Sequence, residues 1–402
     1  MQPSHKLLLR HASLMIAALS FACSAPLGAE TVPGPMRVIV NPGDSAEQSR
    51  VATYTRWKVA LEQAFRKERV SAAAIVMSSD ATADLSATRS RIQDVLVAPA
   101  HVIGSALRNG YLPVLSLEKQ VQAVLVVSKE SPISSLALAG GKRLGLPLQD
   151  SIVTYLIRGE VNAANTTIKR HFSSVYESRY QDALLLCLQV RQCDAVAVER
   201  SVFDRWVATG ESLKVVMESK AVPGLSVAIR DGLRPGAEAL SVSLGDSLAT
   251  GRVTGVKSAM PVASDFEYVA TLGYFTPRAL PGATVVDAKG VALLMQNGAI
   301  YIDTRTEVEF KAGRVPGARL VPYLEKSRKD ADFDPTVDQF DLALLPKEKA
   351  ADLIFACNGA ECWKSFKASH AALKAGYSRV HWFRGGFPEW RKSGLKADGG
   401  PG

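Results

Sequence analysis

The chain has 402 residues and carries 48 Lys and Arg against 39 Asp and Glu, a net charge of +9. That length exceeds what one hydrophobic core organises, so two or three domains are expected. The basic residues are dispersed and no nucleic-acid motif accompanies them, which argues against a nucleic-acid partner; an apolar content of 47% argues against a disordered chain.

The first thirty residues read as a processing segment. Lys6 and Arg10 form a basic start, residues 14–22 are a short apolar run, and Leu27-Gly28-Ala29 offers a small residue before a cut. This is the pattern of a secretory signal peptide spanning 1–29, too short in its apolar part to span a bilayer. Two of the nine net charges leave with it. A lipid anchor at Cys23 is the rival reading, weakened because no Leu stands three residues before it. Export places the mature chain in the periplasm, where disulfides persist. The four remaining cysteines form two close pairs, Cys187 with Cys193 and Cys357 with Cys362, and each pair is either bonded or free.

The mature chain opens on a strand, Met36-Arg37-Val38-Ile39-Val40, closed by Asn41-Pro42-Gly43. Tyr54, Trp57, Leu61 and Phe65 recur at helical spacing over about 52–66. Ala73-Ala74-Ile75-Val76-Met77 is a strand, a polar helix runs through Arg89 and Ile92, and Asp94-Val95-Leu96-Val97-Ala98 is the next strand. Further strands are expected at 121–127, 144–146, 194–198, 213–217 and 225–229. Helices are expected over 150–160, opened by Asp150-Ser151, and over 180–188. Strands alternating with helices imply βαβ units and a largely parallel α/β assembly over 36–255.

The order of these pieces resembles the periplasmic substrate-binding proteins of phosphonate-type ABC importers. Val97-Ala98-Pro99-Ala100, Gly141-Lys142-Arg143-Leu144-Gly145 and the helix start Asp150-Ser151-Ile152-Val153-Thr154 carry the resemblance. It implies two lobes of the type II binding-protein kind closing on a small sulfur- or phosphorus-containing oxyanion, and an ABC permease as partner. Ser151 and Thr154 at the helix start, and His101 beside the Pro99 segment, become the candidate ligand-binding residues. Capping by Ser151 and a structural His101 are the plainer readings.

Residues 256–284 hold Pro261, Pro277, Pro281 and Gly282 without sustained periodicity and read as a linker. Beyond it, over 285–398, come a helix at 290–296 and the strand Ile300-Tyr301-Ile302-Asp303. Gly313-Arg314-Val315-Pro316-Gly317-Ala318 is a turn. Leu353-Ile354-Phe355-Ala356 runs straight into Cys357, and a helix begins at Trp363-Lys364-Ser365. The chain closes on Gly385-Gly386-Phe387-Pro388-Glu389-Trp390. In this order the segments resemble rhodanese, an α/β fold on a parallel sheet, and the resemblance implies a sulfurtransferase that needs neither metal nor cofactor. Cys357 is then the catalytic nucleophile, carrying a persulfide. Asn358, Gly359, Ala360, Glu361, Cys362 and Trp363 form or follow its loop. Such a loop turns backbone N–H groups and a helix N-terminus toward the sulfur and stabilises the thiolate. Asp303, Arg305 and Glu309 read as structural supports. The loop lacks the basic residues common in the family, and an inward Glu361 would repel an anionic donor. The sulfurtransferase would hand its sulfur to a thiol acceptor protein; two other functions stay open, a solute receptor or sensor with a non-catalytic rhodanese module, and a thiol–disulfide redox partner using Cys357 and Cys362.

Overall fold

The computed structural model describes residues 35–44, 47–70, 73–78, 80–251 and 260–399. The expected signal peptide and Cys23 lie outside them. Three five-stranded sheets organise the described chain.

The chain starts in one lobe with β1 (Met36–Val40), α1 (Glu47–Lys67), β2 (Ala73–Met77), α2 (Ala81–Ser90), β3 (Val95–Ala98), α3 (Ala100–Arg108) and β4 (Tyr111–Ser116). It crosses to a second lobe built from β5 (Ala123–Ser128), β6 (Arg143–Pro147), α4 (Ile152–Ala163), α5 (Ile168–His171), β7 (Ser174–Ser178), α6 (Asp182–Gln189), β8 (Ala195–Glu199), α7 (Arg200–Ala208) and β9 (Leu213–Glu218). It then returns through β10 (Ser226–Arg230) and α8 (Ala237–Thr250) to the first lobe. The sheet orders are β2-β1-β3-β10-β4 and β7-β6-β8-β5-β9. In each, one strand entered from the other lobe runs antiparallel to its neighbours: β10 against β3 and β4, β5 against β8 and β9. The two crossings lie side by side, bridged between Val121 and Val222. Two adjacent crossings are the hinge of a two-lobed binding fold. β3 and β8 are buried almost along their whole length, as strands covered on both faces must be.

Several elements went beyond the local pattern. β4 contains Pro113 and β7 reads Ser-Val-Tyr-Glu-Ser, so neither shows the apolar alternation that marks a strand. α2 stops at Ser90, before the expected Ile92, because Arg91 takes a left-handed conformation at φ 56°. The Cys187–Cys193 pair is bonded, with Cα atoms 5.3 Å apart, and ties the end of α6 to the lead-in of β8.

Residues 260–282 of the expected linker are packed rather than free. A short 3-10 turn and α9 (Glu267–Thr271) lie on α3, with Phe266 and Val269 fully buried in a core that residues of both lobes share. A Cβ on Gly104 would stand 3.1 Å from Cβ of Ala270, so helix and segment touch backbone to backbone. The C-terminal part contributes β11 (Ala283–Val285), α10 (Ala288–Gln296), β12 (Ile300–Asp303), α11 (Glu307–Ala312), β13 (Arg319–Leu320), β14 (Leu353–Ala356), α12 (Trp363–Lys374), β15 (Val380–Phe383) and α13 (Gly386–Lys392). Its sheet, β11-β15-β14-β12-β13, is wholly parallel. Ile354 and Ala356 face a core with Tyr301, Phe387 and Trp390, while Leu353 and Phe355 face another with Tyr323, Ala368 and Ala372. Both faces are covered, which is why β14 reads as an unbroken apolar run.

Candidate active site

β14 delivers Cys357 to the C-terminal edge of the parallel sheet. The residue is 1% exposed. The Cys357 carbonyl accepts the N–H of Phe387 at 2.9 Å, so the Gly385-Gly386 segment lies directly on the loop. A Cβ on Gly386 would run into that carbonyl, which is why glycine stands there. Gly359 turns the loop at φ +89°, a conformation glycine adopts without strain. The Cys362 N–H then closes on the Gly359 carbonyl at 2.9 Å, and α12 starts. Cys357 and Cys362 are joined as a disulfide with Cα atoms 6.1 Å apart. The thiol is therefore masked in this state, and Cys357 offers no free thiolate until that bond is reduced.

The supports behave as structural residues. Arg305, 1% exposed, clamps Asp303 through Nε and Nη2 and reaches the Gly313 carbonyl at 2.7 Å. Glu309 closes a capping box with Thr306 and accepts Asn358 Nδ2 at 2.6 Å, holding the loop's second residue. Burial opposes its ionisation, yet the Thr306 N–H, Lys364 and the Ser86 hydroxyl hold the Glu309 carboxyl below its usual range. Trp363 packs in a core with Phe366 and Trp382 and donates Nε1–H to the Tyr274 carbonyl at 2.8 Å, so it anchors the helix rather than lining the loop.

Contacts from the first lobe cover this loop, a feature sequence spacing could not show. Ser86 on α2 donates to Glu309 at 2.7 Å. Glu361 does not turn inward on the sulfur. It pairs with Arg108 of α3 at 2.8 Å and lies 3.9 Å from Arg89 of α2. The feared repulsion of an anionic donor is thus neutralised by arginines of the first lobe. Thr276 bonds the Ala360 carbonyl through both its N–H and its hydroxyl at 2.8 Å.

The cleft between the two lobes holds about 280 Å³. Ser151 lines it, caps α4 and donates its hydroxyl across the cleft to Asp44. Burial pushes the Asp44 carboxyl up to about 6 against that hydrogen bond. Thr154 and His101 do not face the cleft. The Thr154 hydroxyl donates to the Pro147 carbonyl at the end of β6, at 2.9 Å. His101 is 2% exposed, with Nε2 at 2.8 Å from the Asp150 backbone oxygen; burial pushes its pKa down to about 4, so it is a neutral packing residue. The cleft contains a segment of the C-terminal part instead. Lys329 places its ammonium 2.7 Å from both Asp150 oxygens, its own N–H meets Gln149 at 3.2 Å, and Arg328 lies 3.2 Å from Glu177. Among the described residues no cluster of three or more His, Cys, Asp or Glu could hold a metal, and no helix is long and apolar enough to cross a membrane.

A parallel sheet that hands a cysteine into a tight loop before a helix, with a Gly-Gly turn pinned to it, defines a rhodanese-like domain; the two hinged lobes before it define a type II binding-protein fold. Family comparison agrees. Residues 287–393 match the rhodanese-like domain, and residues 45–243 match the periplasmic substrate-binding protein of phosphonate ABC transporters. The chain belongs to the rhodanese family through its C-terminal domain, fused to a phosphonate-binding-type domain. It is 31% identical to thiosulfate sulfurtransferase 18 of Arabidopsis thaliana over 111 residues, 26% of this chain and 76% of that one. It is 30% identical to the chloroplastic thiosulfate sulfurtransferase 16 of the same plant, over 25% of this chain and 82% of that one. Among solved structures, PhnD1 of Prochlorococcus marinus in complex with methylphosphonate matches at 13% identity and a TM-score of 0.47, covering 60% of this chain and 97% of that one.

Proposed function

We propose that this protein is an exported sulfurtransferase in which Cys357 carries a persulfide. The observation behind this reading is the placement of Cys357, at the end of a buried central strand and in a glycine-turned loop that opens a helix. A thiol reductant first opens the Cys357–Cys362 bond. The Cys357 thiolate then attacks the outer sulfur of a sulfane donor such as thiosulfate. The new S–S bond forms as the donor's breaks, and sulfite leaves with the bonding pair. The persulfide passes its outer sulfur to a thiol acceptor. Alternatively the Cys362 thiolate attacks Cys357 Sγ, expels hydrosulfide and restores the disulfide, and the external thiol again supplies the electrons. Asn358, Gly359, Ala360 and Glu361 hold the loop in shape; Trp363 fixes the start of the helix.

The N-terminal domain, in the same reading, takes a small sulfur or phosphorus oxyanion at the Ser151 end of its cleft, in exchange with the Lys329 segment. Arg50 and Arg179 line that cleft beside Ser151. The partners implied are a thiol acceptor protein and an ABC permease, and the compartment is the periplasm. Intact-mass measurement of the reduced mature chain, before and after thiosulfate, tests the central step: gain of one sulfur on Cys357 is expected, and no gain refutes it. A thiol–disulfide exchange role is the second reading, favoured by the bonded Cys357–Cys362 pair. It predicts disulfide exchange with a dithiol protein and no sulfur gain.

A further inference from the structure

Beside the Cys357 loop lies a cavity of about 600 Å³ whose walls come from both domains. One wall is the loop itself, Asn358 to Glu361. The others bring Arg89 and Arg91 from the end of α2, Arg108 from α3, and Arg391 and Lys392 from α13. Among the described residues two carboxylates line it, and both are engaged. Glu361 is held by Arg108 and Arg89, and Glu389 accepts the Ala288 N–H at 3.0 Å. Among the described residues, Arg91 and Arg391 have no carboxylate within 4 Å. Nε of Arg89, of Arg91 and of Arg391 is buried without a hydrogen-bond partner, and Arg89 as a whole is 7% exposed. Burial first, then the nearby Arg91 and Arg305, push the Arg391 pKa down to about 10. Guanidinium groups gathered in a partly desolvated cavity repel one another, and a multivalent anion relieves that repulsion while satisfying their N–H forks.

We infer that this interdomain cavity is a binding site for a tetrahedral oxyanion of charge −2, built chiefly by Arg91 and Arg391 with Arg89 and Arg108. It lies outside the two-lobed cleft and uses N-terminal-domain arginines in place of the basic residues the Cys357 loop lacks. Anion binding there stands on the charge arrangement alone. Its role, docking the anionic end of a sulfur donor one residue from Cys357, rests on the sulfurtransferase reading.

Sulfate is the probe, because it has the charge and tetrahedral shape of thiosulfate and no sulfane sulfur to transfer. Calorimetry on the full mature chain should show sulfate binding that the R91Q/R391Q pair weakens at least tenfold. R391K should keep part of the affinity. Sulfate should raise the melting temperature of the parent protein and of Cys357→Ser, and leave that of R91Q/R391Q unmoved provided its circular dichroism matches the parent. Absence of sulfate binding by the parent, or binding unchanged in a folded R91Q/R391Q, overturns the site. The two ideas fail separately. Sulfur gained on Cys357 without sulfate binding sinks only the anion site; sulfate bound without sulfur gain sinks only the transferase reading.

Discussion

Replacing Lys329 with Met tests whether the C-terminal domain is held in the cleft of the N-terminal one by a buried ion pair. Lys329 and Asp150 side chains are each 8% exposed, and the ammonium meets both carboxylate oxygens. Without it, Asp150 keeps the Thr82 hydroxyl as a side-chain partner. Leaving one member of a buried pair uncompensated costs about 3 kcal/mol. With a urea slope of roughly 3 kcal/mol per M, that lowers the midpoint by about 1 M near neutral pH. The pH dependence follows from the same pair. Burial works to raise the Asp150 pKa, but Lys329 holds it below the usual carboxylate value. In the parent, this stabilisation is present above the ordinary carboxylate pKa and is lost as pH falls through the lowered one. In Lys329→Met the burial remains without the cation, so the Asp150 pKa rises above its unfolded value. The folded state then binds a proton that the unfolded state does not, and stability falls as pH rises through that window. The deficit should be widest near pH 7.5 and shrink toward pH 5. Urea unfolding at the two pH values, with Asp150→Asn and the double variant to isolate the coupling, measures it. A Lys329→Met midpoint within error of the parent at pH 7.5 would refute the reasoning.

Cys357→Ser should abolish sulfur gain from thiosulfate, whereas Cys362→Ser should retain the persulfide longer than the parent, both read by intact mass; an unchanged lifetime removes Cys362 as the resolving thiol. Asp44→Asn should stabilise the chain by about 2 kcal/mol near pH 7.5 and by little near pH 4, because a carboxyl raised to about 6 costs stability as pH climbs through that value; equal effects at both pH values would contradict this. Gly386→Ala should cost at least about 2 kcal/mol and displace the loop, since the adjacent Cys357 carbonyl stands where a Cβ would go and a φ of +57° adds strain for any side chain; wild-type melting behaviour would count against that packing.

The Cys357 loop was legible in the sequence because it is local. The apolar run of β14, Cys357, Gly359 and the helix start lie within a dozen residues, and their backbone geometry follows from residue type. The alternation of strands and helices was legible for the same reason, as was Ser151 as a cap. Elements without apolar alternation, such as β7, were not, since that edge strand takes its shape from pairing with β6. Thr154 and His101 have the side chains a ligand site uses, but whether a hydroxyl or imidazole faces a cleft depends on which neighbour reaches it first. Tertiary structure sent one to the Pro147 carbonyl and the other to the Asp150 backbone. Glu361 shows the same limit. Its charge could be read, while its neutralisation by Arg108 and Arg89 joins residues more than 250 positions apart. Lys329 in the cleft and the arginine-lined cavity are likewise products of domain docking. Sequence by itself showed the alternation of strands and helices, which is written in short-range periodicity, and the kind of each domain through the resemblance its ordered short motifs bear to known families. How the two domains meet, and so which charges face the sulfur loop and what lies in the cleft, was decided only by the packing of surfaces distant in the chain.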